Sequence, residues 1–268
     1  MITTNLLDES SARSVSYKKG PYSILEYERD ISTSPQAAEE AYFASKMNIR
    51  KRQLVINLTE ENGVFIQAGD LQLMLGDIQV STNVKGAGDL LKKFVTSAVT
   101  DETAIKPLYT GNGTLVLEPT FKYIIVENLE DWPDGLVIED GMFLACDEDV
   151  KMEITSRKNL SSMAFGGEGL FNTALFGDGL VALESPVPMD ELIVVELNDD
   201  IIKIDGDMAI AWSPELRFTV QKTTSTLVGS LVSGEGLVNV YEGTGKVLIA
   251  PVRVNRGIPI PEKTNKMM

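Results

Sequence analysis

Histidine is absent from this chain of 268 residues, and Cys146 is its only cysteine. The lack of histidine removes the usual general base near neutral pH, the Ser-His and Cys-His nucleophilic pairs, and His-ligated zinc or iron. A single cysteine excludes a disulfide within the chain and a metal site built from several thiolates. Cys146 lies in an apolar strand pattern, and we expect a buried, inert thiol rather than a nucleophile.

Positive charge and long apolar runs are also scarce. Lysine and arginine number 24 against 39 aspartates and glutamates, which gives a formal net charge of −15. Such a chain lacks the general basic surface that binds nucleic acid or an anionic membrane. No run reaches the roughly 18 apolar residues that span a bilayer, and the N-terminus has no signal-peptide pattern. We therefore expect a cytoplasmic protein without membrane insertion and without nucleic acid as a partner.

Glycine recurs in a fixed order along the chain. Three segments, 86–119, 167–186 and 234–251, each open with a Gly-x-Gly pair, reach a second Gly-x-Gly after an aromatic residue, and end at proline. Glycine adopts the positive φ angles of hairpin turns without steric cost, and paired glycines also suit bulges and close backbone approach. Each segment therefore predicts two strands joined by a glycine turn. A phosphate-binding loop is disfavoured because proline, rather than a helix, follows the apolar residues.

A second motif recurs with the same rhythm in residues 62–75, 140–154 and 206–220, where a turn containing glycine leads into two apolar strands. Two motifs repeated three times in the same order indicate three homologous units, which are too long for a solenoid. The predicted fold class is mainly β, with three pseudo-repeated antiparallel β units that form a single prism- or barrel-like β structure. One or two short helices accompany it.

Few elements are predicted outside the repeats. Tyr22–Tyr27 is typical of a strand, and Ser34 followed by proline suits the start of a helix that runs through Ala44. We expect this helix to pack on the sheet, and holding a partner subunit is the alternative. Asp89 can cap a second, amphipathic helix inside the first unit.

The β region opens at residues 54–58, where alternating leucine and isoleucine predict a half-buried strand. Three parts of the chain follow from these patterns. An N-terminal extension with a short helix covers residues 1–46, and the three-unit β domain covers residues 47–252. Residues 253–268 form a polar C-terminal tail that we expect to be flexible.

Acidic residues concentrate between Lys122 and Lys151, where nine carboxylates and no positive residue occur, most densely at residues 147–149. A divalent cation needs several converging oxygen ligands, and this spacing is not that of an EF-hand loop. Solvated turns are the favoured interpretation, and a cation site is the alternative.

Four basic residues precede the first strand of the β region: Lys46, Arg50, Lys51 and Arg52. On a chain of net charge −15 they are too few to form the broad basic surface that nucleic acid needs. We expect a solvated edge whose charges discourage strand pairing.

As an ordered set, the glycine motifs resemble the family known as altered inheritance of mitochondria protein twenty-four. The resemblance extends over roughly residues 47–252. It is carried by Gly167-Glu168-Gly169-Leu170-Phe171, Phe176-Gly177-Asp178-Gly179, Ser233-Gly234-Glu235-Gly236-Leu237, Gly243-Thr244-Gly245 and Glu139-Asp140-Gly141-Met142.

The resemblance implies a β fold similar to that of the tryptophan RNA-binding attenuation protein, built from repeated β units. It also implies relatives in bacteria and archaea, with a mitochondrial branch in eukaryotes. That family has no agreed catalytic residues, so the resemblance assigns none here. RNA binding is not carried over, because it depends on basic residues around a ring and this chain is acidic.

Repetition without converging catalytic residues favours a non-catalytic β scaffold that self-associates into a homo-oligomer and binds a protein partner. A small-molecule or divalent-metal binding module is the alternative. A third hypothesis is an enzyme with a carboxylate pair, because Glu168 and Glu235 occupy matching turns. Turn chemistry explains both glutamates more simply. We therefore assign no catalytic, cofactor-binding or metal-binding residue.

Overall fold

The computed structural model describes residues 2–29, 32–82, 106–156, 171–205, 208–222 and 237–251. These residues contain one α-helix, α1 (Ala38–Lys46), two short 3-10 turns and sixteen strands. The strands are β1 (Arg13–Lys19), β2 (Tyr22–Tyr27), β3 (Arg52–Leu58), β4 (Val64–Ile66), β5 (Leu71–Ser81), β6 (Leu108–Leu117), β7 (Tyr123–Asn128), β8 (Leu136–Ile138), β9 (Phe143–Asp147), β10 (Lys151–Ser156), β11 (Phe171–Phe176), β12 (Leu180–Ser185), β13 (Ile193–Asp205), β14 (Ala209–Trp212), β15 (Arg217–Lys222) and β16 (Leu237–Ile249). The predicted mainly-β class is confirmed.

The strands form two antiparallel sheets. The first runs β1-β2-β3-β6-β4-β9-β12-β7, with β5 paired to β6. The second runs β10-β11-β8-β14-β16-β13, with β15 paired to β16. Six strands pair on one side only within the described residues: β1, β5, β7, β10, β13 and β15.

The first sheet curls into a nearly closed, barrel-like structure because β7 returns to β3. Arg52 in β3 and Thr120 just before β7 exchange backbone hydrogen bonds of 2.7 and 2.8 Å. The Arg52 guanidinium also lies 4.0 Å from the centre of the Tyr123 ring. A desolvated cation over an aromatic face contributes on the order of 2 kcal/mol, which helps to hold this seam together.

Apolar side chains fill three places in the fold. One cluster lies between the two sheets, where Phe143 and Val181 of the first sheet pack with Leu136 and Leu175 of the second. A second cluster, which we call the barrel cluster, fills the first sheet and includes Leu54. A third lies on the second sheet around Trp212 and Tyr241. The shared cluster joins the two sheets through buried apolar surface.

Strand β3 is buried on both faces, so the predicted half-buried strand is wrong. Val55 points away from the barrel cluster and is nevertheless fully buried with Leu25 and Val116. Leu6, Leu7 and Val15 pack against this group from outside. The N-terminal segment and the β1–β2 hairpin therefore supply a cover that the alternation of residues 54–58 does not reveal.

The predicted hairpin turns at the glycine pairs are wrong. Strands β6 and β16 continue through Gly111–Gly113 and Gly243–Gly245, while residues 177–179 carry the chain from one sheet to the other. A Cβ at Gly111, where φ is +114°, would overlap the Asp77 carbonyl oxygen of β5. These glycines permit close backbone approach at a bend, which is the second use that the sequence suggested.

The glycine strands β6 and β16 have corresponding neighbours, because β6 pairs with β3, β4 and β5 and β16 pairs with β13, β14 and β15. Strand β6 is bordered along its length by β5, which precedes it in the chain. Strand β16 is bordered along its length by β13, which lies three strands earlier. The order of these pairings is alike but their lengths differ, and the three-unit organisation stays a prediction.

Helix α1 buries none of its residues, so the expectation that it packs on the sheet is wrong for the described residues. Tyr42, Phe43 and Met47 are exposed by 56%, 59% and 73%.

The second predicted helix, at Asp89, and the tail over 253–268 lie outside the described residues. Within the part of the chain that the structure describes, no helix is long and apolar enough to cross a membrane.

Candidate functional site

Two of the four residues in the basic cluster at the start of β3 are neutralised by carboxylates. Arg50 Nη1 lies 2.9 Å from Glu26 Oε1 and 2.5 Å from Glu28 Oε2. Arg52 Nε lies 3.2 Å from Glu26 Oε2, and Arg52 is 3% exposed. The expectation of a solvated edge is therefore wrong for Arg52, which closes the barrel instead. Two of the four cations serve internal ion pairs.

Asp147 is held by two hydrogen bonds at the end of β9. The Tyr22 hydroxyl donates to Asp147 Oδ1 and the Leu180 amide donates to Asp147 Oδ2, each at 2.8 Å. Burial raises the pKa of the Asp147 carboxyl, the two hydrogen bonds lower it, and Asp149 raises it. Burial and the neighbouring carboxylate raise the pKa of the Tyr22 hydroxyl well above its usual value. The arrangement ties the N-terminal hairpin to β9 and β12.

Cys146 is fully buried, as the sequence predicts. Burial, together with the Asp147 charge, raises the pKa of its thiol far above the ordinary value, although Lys106 acts in the opposite direction. Its sulfur lies 3.9 Å from that of Met152. A protonated thiol in apolar surroundings is a poor nucleophile.

Three of the nine carboxylates between Lys122 and Lys151 have separate structural partners. Glu127 accepts a hydrogen bond of 3.0 Å from the Trp132 indole, and Glu130 accepts one of 3.0 Å from the Asn128 amide. Asp147 is bound as described above. Among the described residues, no group of three or more Asp, Glu or Cys side chains is arranged to hold a metal ion.

Glu168 and Glu235, the basis of the carboxylate-enzyme hypothesis, lie outside the described residues. The same holds for Gly86–Gly88, Gly167–Gly169 and Gly234–Gly236, with which the three repeated segments open. The hypothesis therefore stays a prediction.

Two long strands carry apolar side chains to the surface. In β13, Ile193, Val194 and Ile201 are exposed by 48%, 55% and 45%. In β5, Leu73 and Met74 are exposed by 43% and 41%. Because neighbouring residues of a strand point to opposite faces, both faces of each strand are uncovered at these positions in the described part of the chain. We call β5 and β13 the exposed apolar strands.

Sequence patterns alone do not identify the exposed apolar strands as a surface. Their apolar runs, 73–75 and 192–195, have no alternation and are typical of strands buried on both faces. The useful signal is the disagreement between an apolar run, which predicts burial, and the exposure of its side chains. That disagreement is visible only when the neighbours of each strand are known.

A family model described as Mitochondrial biogenesis AIM24 matches residues 46–252. The crystal structure of protein SPYM3_0169 from Streptococcus pyogenes is similar in fold, with a TM-score of 0.54 and 23% sequence identity. That likeness covers 77% of this chain and 90% of the streptococcal chain. No match was found among curated proteins. Because the family model spans most of the sequence, the chain belongs to the Mitochondrial biogenesis AIM24 family.

Proposed function

We propose that this protein is a non-catalytic β scaffold that acts through self-association and through binding of protein partners. The observation that carries the proposal is the exposure of apolar side chains along β13, at Ile193, Val194 and Ile201. A strand paired on one side presents unsatisfied backbone donors and acceptors, and apolar side chains beside them add a gain from burial. A second β edge satisfies both requirements.

The mismatch between sequence and environment supports the same proposal. The run from Leu192 to Val195 encodes burial on both faces, and the fold of the described residues leaves Val194 more than half exposed. Burying a valine or isoleucine side chain is worth about 1.5–3 kcal/mol, so several along one strand supply a large share of an interface. Natural sequences depart from local consistency mainly where function requires it.

The non-catalytic part of the proposal is supported by the state of the reactive groups in the described residues. Cys146 is buried, which raises the pKa of its thiol, and Asp147 is engaged by Tyr22 and Leu180. A metal-binding module is the weaker candidate, because Glu127, Glu130 and Asp147 have separate structural partners and no group of three carboxylates converges among the described residues.

Native mass spectrometry of gently purified full-length protein, at several concentrations, tests self-association. We expect a discrete oligomer, and Val194→Lys in β13 should shift it toward the monomer because the new charge would be buried at the contact. Met189→Lys is the matched control, since Met189 is 45% exposed, against 55% for Val194, but lies in the 3-10 turn that precedes β13 rather than in a strand. A wild-type protein that is monomeric at every concentration would overturn the proposal.

A further inference from the structure

We propose that the contact between copies joins unlike edges, with β1 of one copy pairing to β13 of the next. This inference rests on the proposed self-association and names the surfaces that carry it. Strand β1 ends the first sheet and β13 ends the second, and each pairs on one side only within the described residues. In this proposal, each edge pairs with a second copy of this chain.

Charge distinguishes these two edges. Strand β1 carries Arg13, Lys18 and Lys19 and no acidic residue. Between Ile193 and Ile204, strand β13 carries three carboxylates, from Glu196, Asp199 and Asp200, against a single lysine. No ion pair joins the two lysines of β1 or the three carboxylates of β13 to another described residue. The two edges are complementary in sign.

The same charges disfavour pairing between two β1 edges and between two β13 edges. Two β1 edges would bring four lysines together, and two antiparallel β13 edges would bring six carboxylates together near their centre. Like charges placed opposite each other in an interface repel and suppress the wrong pairing. Charged side chains and bulges are the usual protection of an edge strand, and both edges have them. These charges prevent an edge from pairing with an edge of the same sign but not with one of opposite sign, which makes the pairing selective.

Apolar contact accompanies the charges. Tyr17 lies next to the two lysines of β1 and is 41% exposed, and Ile201 follows the carboxylates of β13. Strand β5 is apolar as well but carries a single charge, Asp77, so charge does not select a partner for it. Since the two joined edges differ, the contact is heterologous, and repetition generates a closed ring or an open filament rather than a two-fold dimer.

Charge-reversal variants test the inference in the full-length protein. The β1 variant carries Lys18→Glu and Lys19→Glu. The β13 variant carries Asp200→Lys and Asp199→Asn, because asparagine tolerates the φ of +50° at that position. We expect each variant alone to associate at least about a hundredfold more weakly than wild type. Lys151→Glu, on the unrelated edge strand β10, is the matched control and should leave association unchanged.

Mixing the two variants gives the decisive result. The acidic β1 of the first variant then meets the basic β13 of the second, and the unaltered edges also meet, so native mass should show assemblies that alternate the two proteins. Far-UV circular dichroism establishes that both variants are folded. A wild-type oligomer that the variants leave intact, or variants that dissociate and are not restored on mixing, would overturn the unlike-edge pairing while leaving self-association in place. A monomeric wild type would overturn both.

Discussion

Asp147 shows how a single carboxyl can connect three strands at a cost in solvation. Its oxygens accept hydrogen bonds from Tyr22 in β2 and from the Leu180 amide in β12. Because burial raises its pKa, the folded state favours the protonated carboxyl relative to the unfolded chain. The stability that Asp147 contributes is therefore greatest below its unfolded pKa and decreases as pH rises through the raised folded value.

Removing the Tyr22 hydroxyl is predicted to destabilise the protein more at neutral pH than in acid. At neutral pH the ionised carboxylate loses a charge-assisted hydrogen bond, worth about 1.5–3 kcal/mol, whereas the protonated acid loses a neutral one, worth about 0.5–1.5 kcal/mol. Free energies of unfolding in urea for Tyr22→Phe, measured at pH 7 and near pH 3.5, give the comparison.

The control for this prediction is Tyr17→Phe, which removes the same atom from a tyrosine 41% exposed on β1. It should change the free energy of unfolding by less than about 0.5 kcal/mol at both pH values. Equal losses for Tyr22→Phe in acid and at neutral pH would show that the carboxylate charge does not contribute to the bond.

At the scale of elements, the glycines of the bent strands are predicted to be required for steric reasons. Gly111→Ala places a methyl group against the Asp77 carbonyl of β5 in addition to forcing alanine to a φ of +114°. Gly69→Ala imposes a φ of +90° but meets no atom within 4 Å. Unfavourable φ alone costs about 1–3 kcal/mol, and overlap with backbone adds about 1–3 kcal/mol more.

Chemical denaturation of the two variants measures that difference. Gly69→Ala serves as the control because it isolates the conformational cost. Similar losses for both variants would mean that β5 and β6 separate easily at the bend, and that Gly111 is needed for its φ angle alone.

The sequence predicted which residues form strands but not which strands pair. The alternation over 54–58 and the apolar run at 192–195 depend on local side chains, and both are strands in the structure. Pairing depends on distant neighbours, and the Gly-x-Gly spacing is equally compatible with a hairpin and with a bent strand. Gly111 and Gly245 distinguish these only through the atoms that approach them, a carbonyl of β5 at Gly111 and side chains of the loop between β14 and β15 at Gly245.

The candidate surface was less accessible to sequence reasoning for the same reason. The exposure of Val194 is a property of the whole molecule, since it depends on which elements cover the faces of β13 in the described residues. The likeness to the tryptophan RNA-binding attenuation protein stays a prediction, whereas the family resemblance over 47–252 is confirmed by the match over 46–252. Ordered glycine motifs identify a family better than they identify its strand pairing.

At the scale of the whole molecule, the cluster shared by the two sheets predicts a single cooperative unfolding transition. Leu54 is fully buried in the barrel cluster, and Leu54→Ala should cost about 2–5 kcal/mol. The two tryptophans lie elsewhere, Trp132 between the sheets and Trp212 on the second sheet. If the sheets unfold together, tryptophan fluorescence and far-UV circular dichroism shift to the same lower denaturant midpoint, at fixed protein concentration.

Met189→Ala is the control for cooperativity, because it shortens an apolar side chain that is 45% exposed. It should change the free energy of unfolding by less than about 0.5 kcal/mol, so that both midpoints stay close to those of wild type. A fluorescence midpoint unchanged in Leu54→Ala, with an earlier partial loss of circular dichroism, would mean that the barrel unfolds separately. The cluster around Phe143 and Leu175 would then join two independently stable sheets, and the edges β1 and β13 would belong to different folding units.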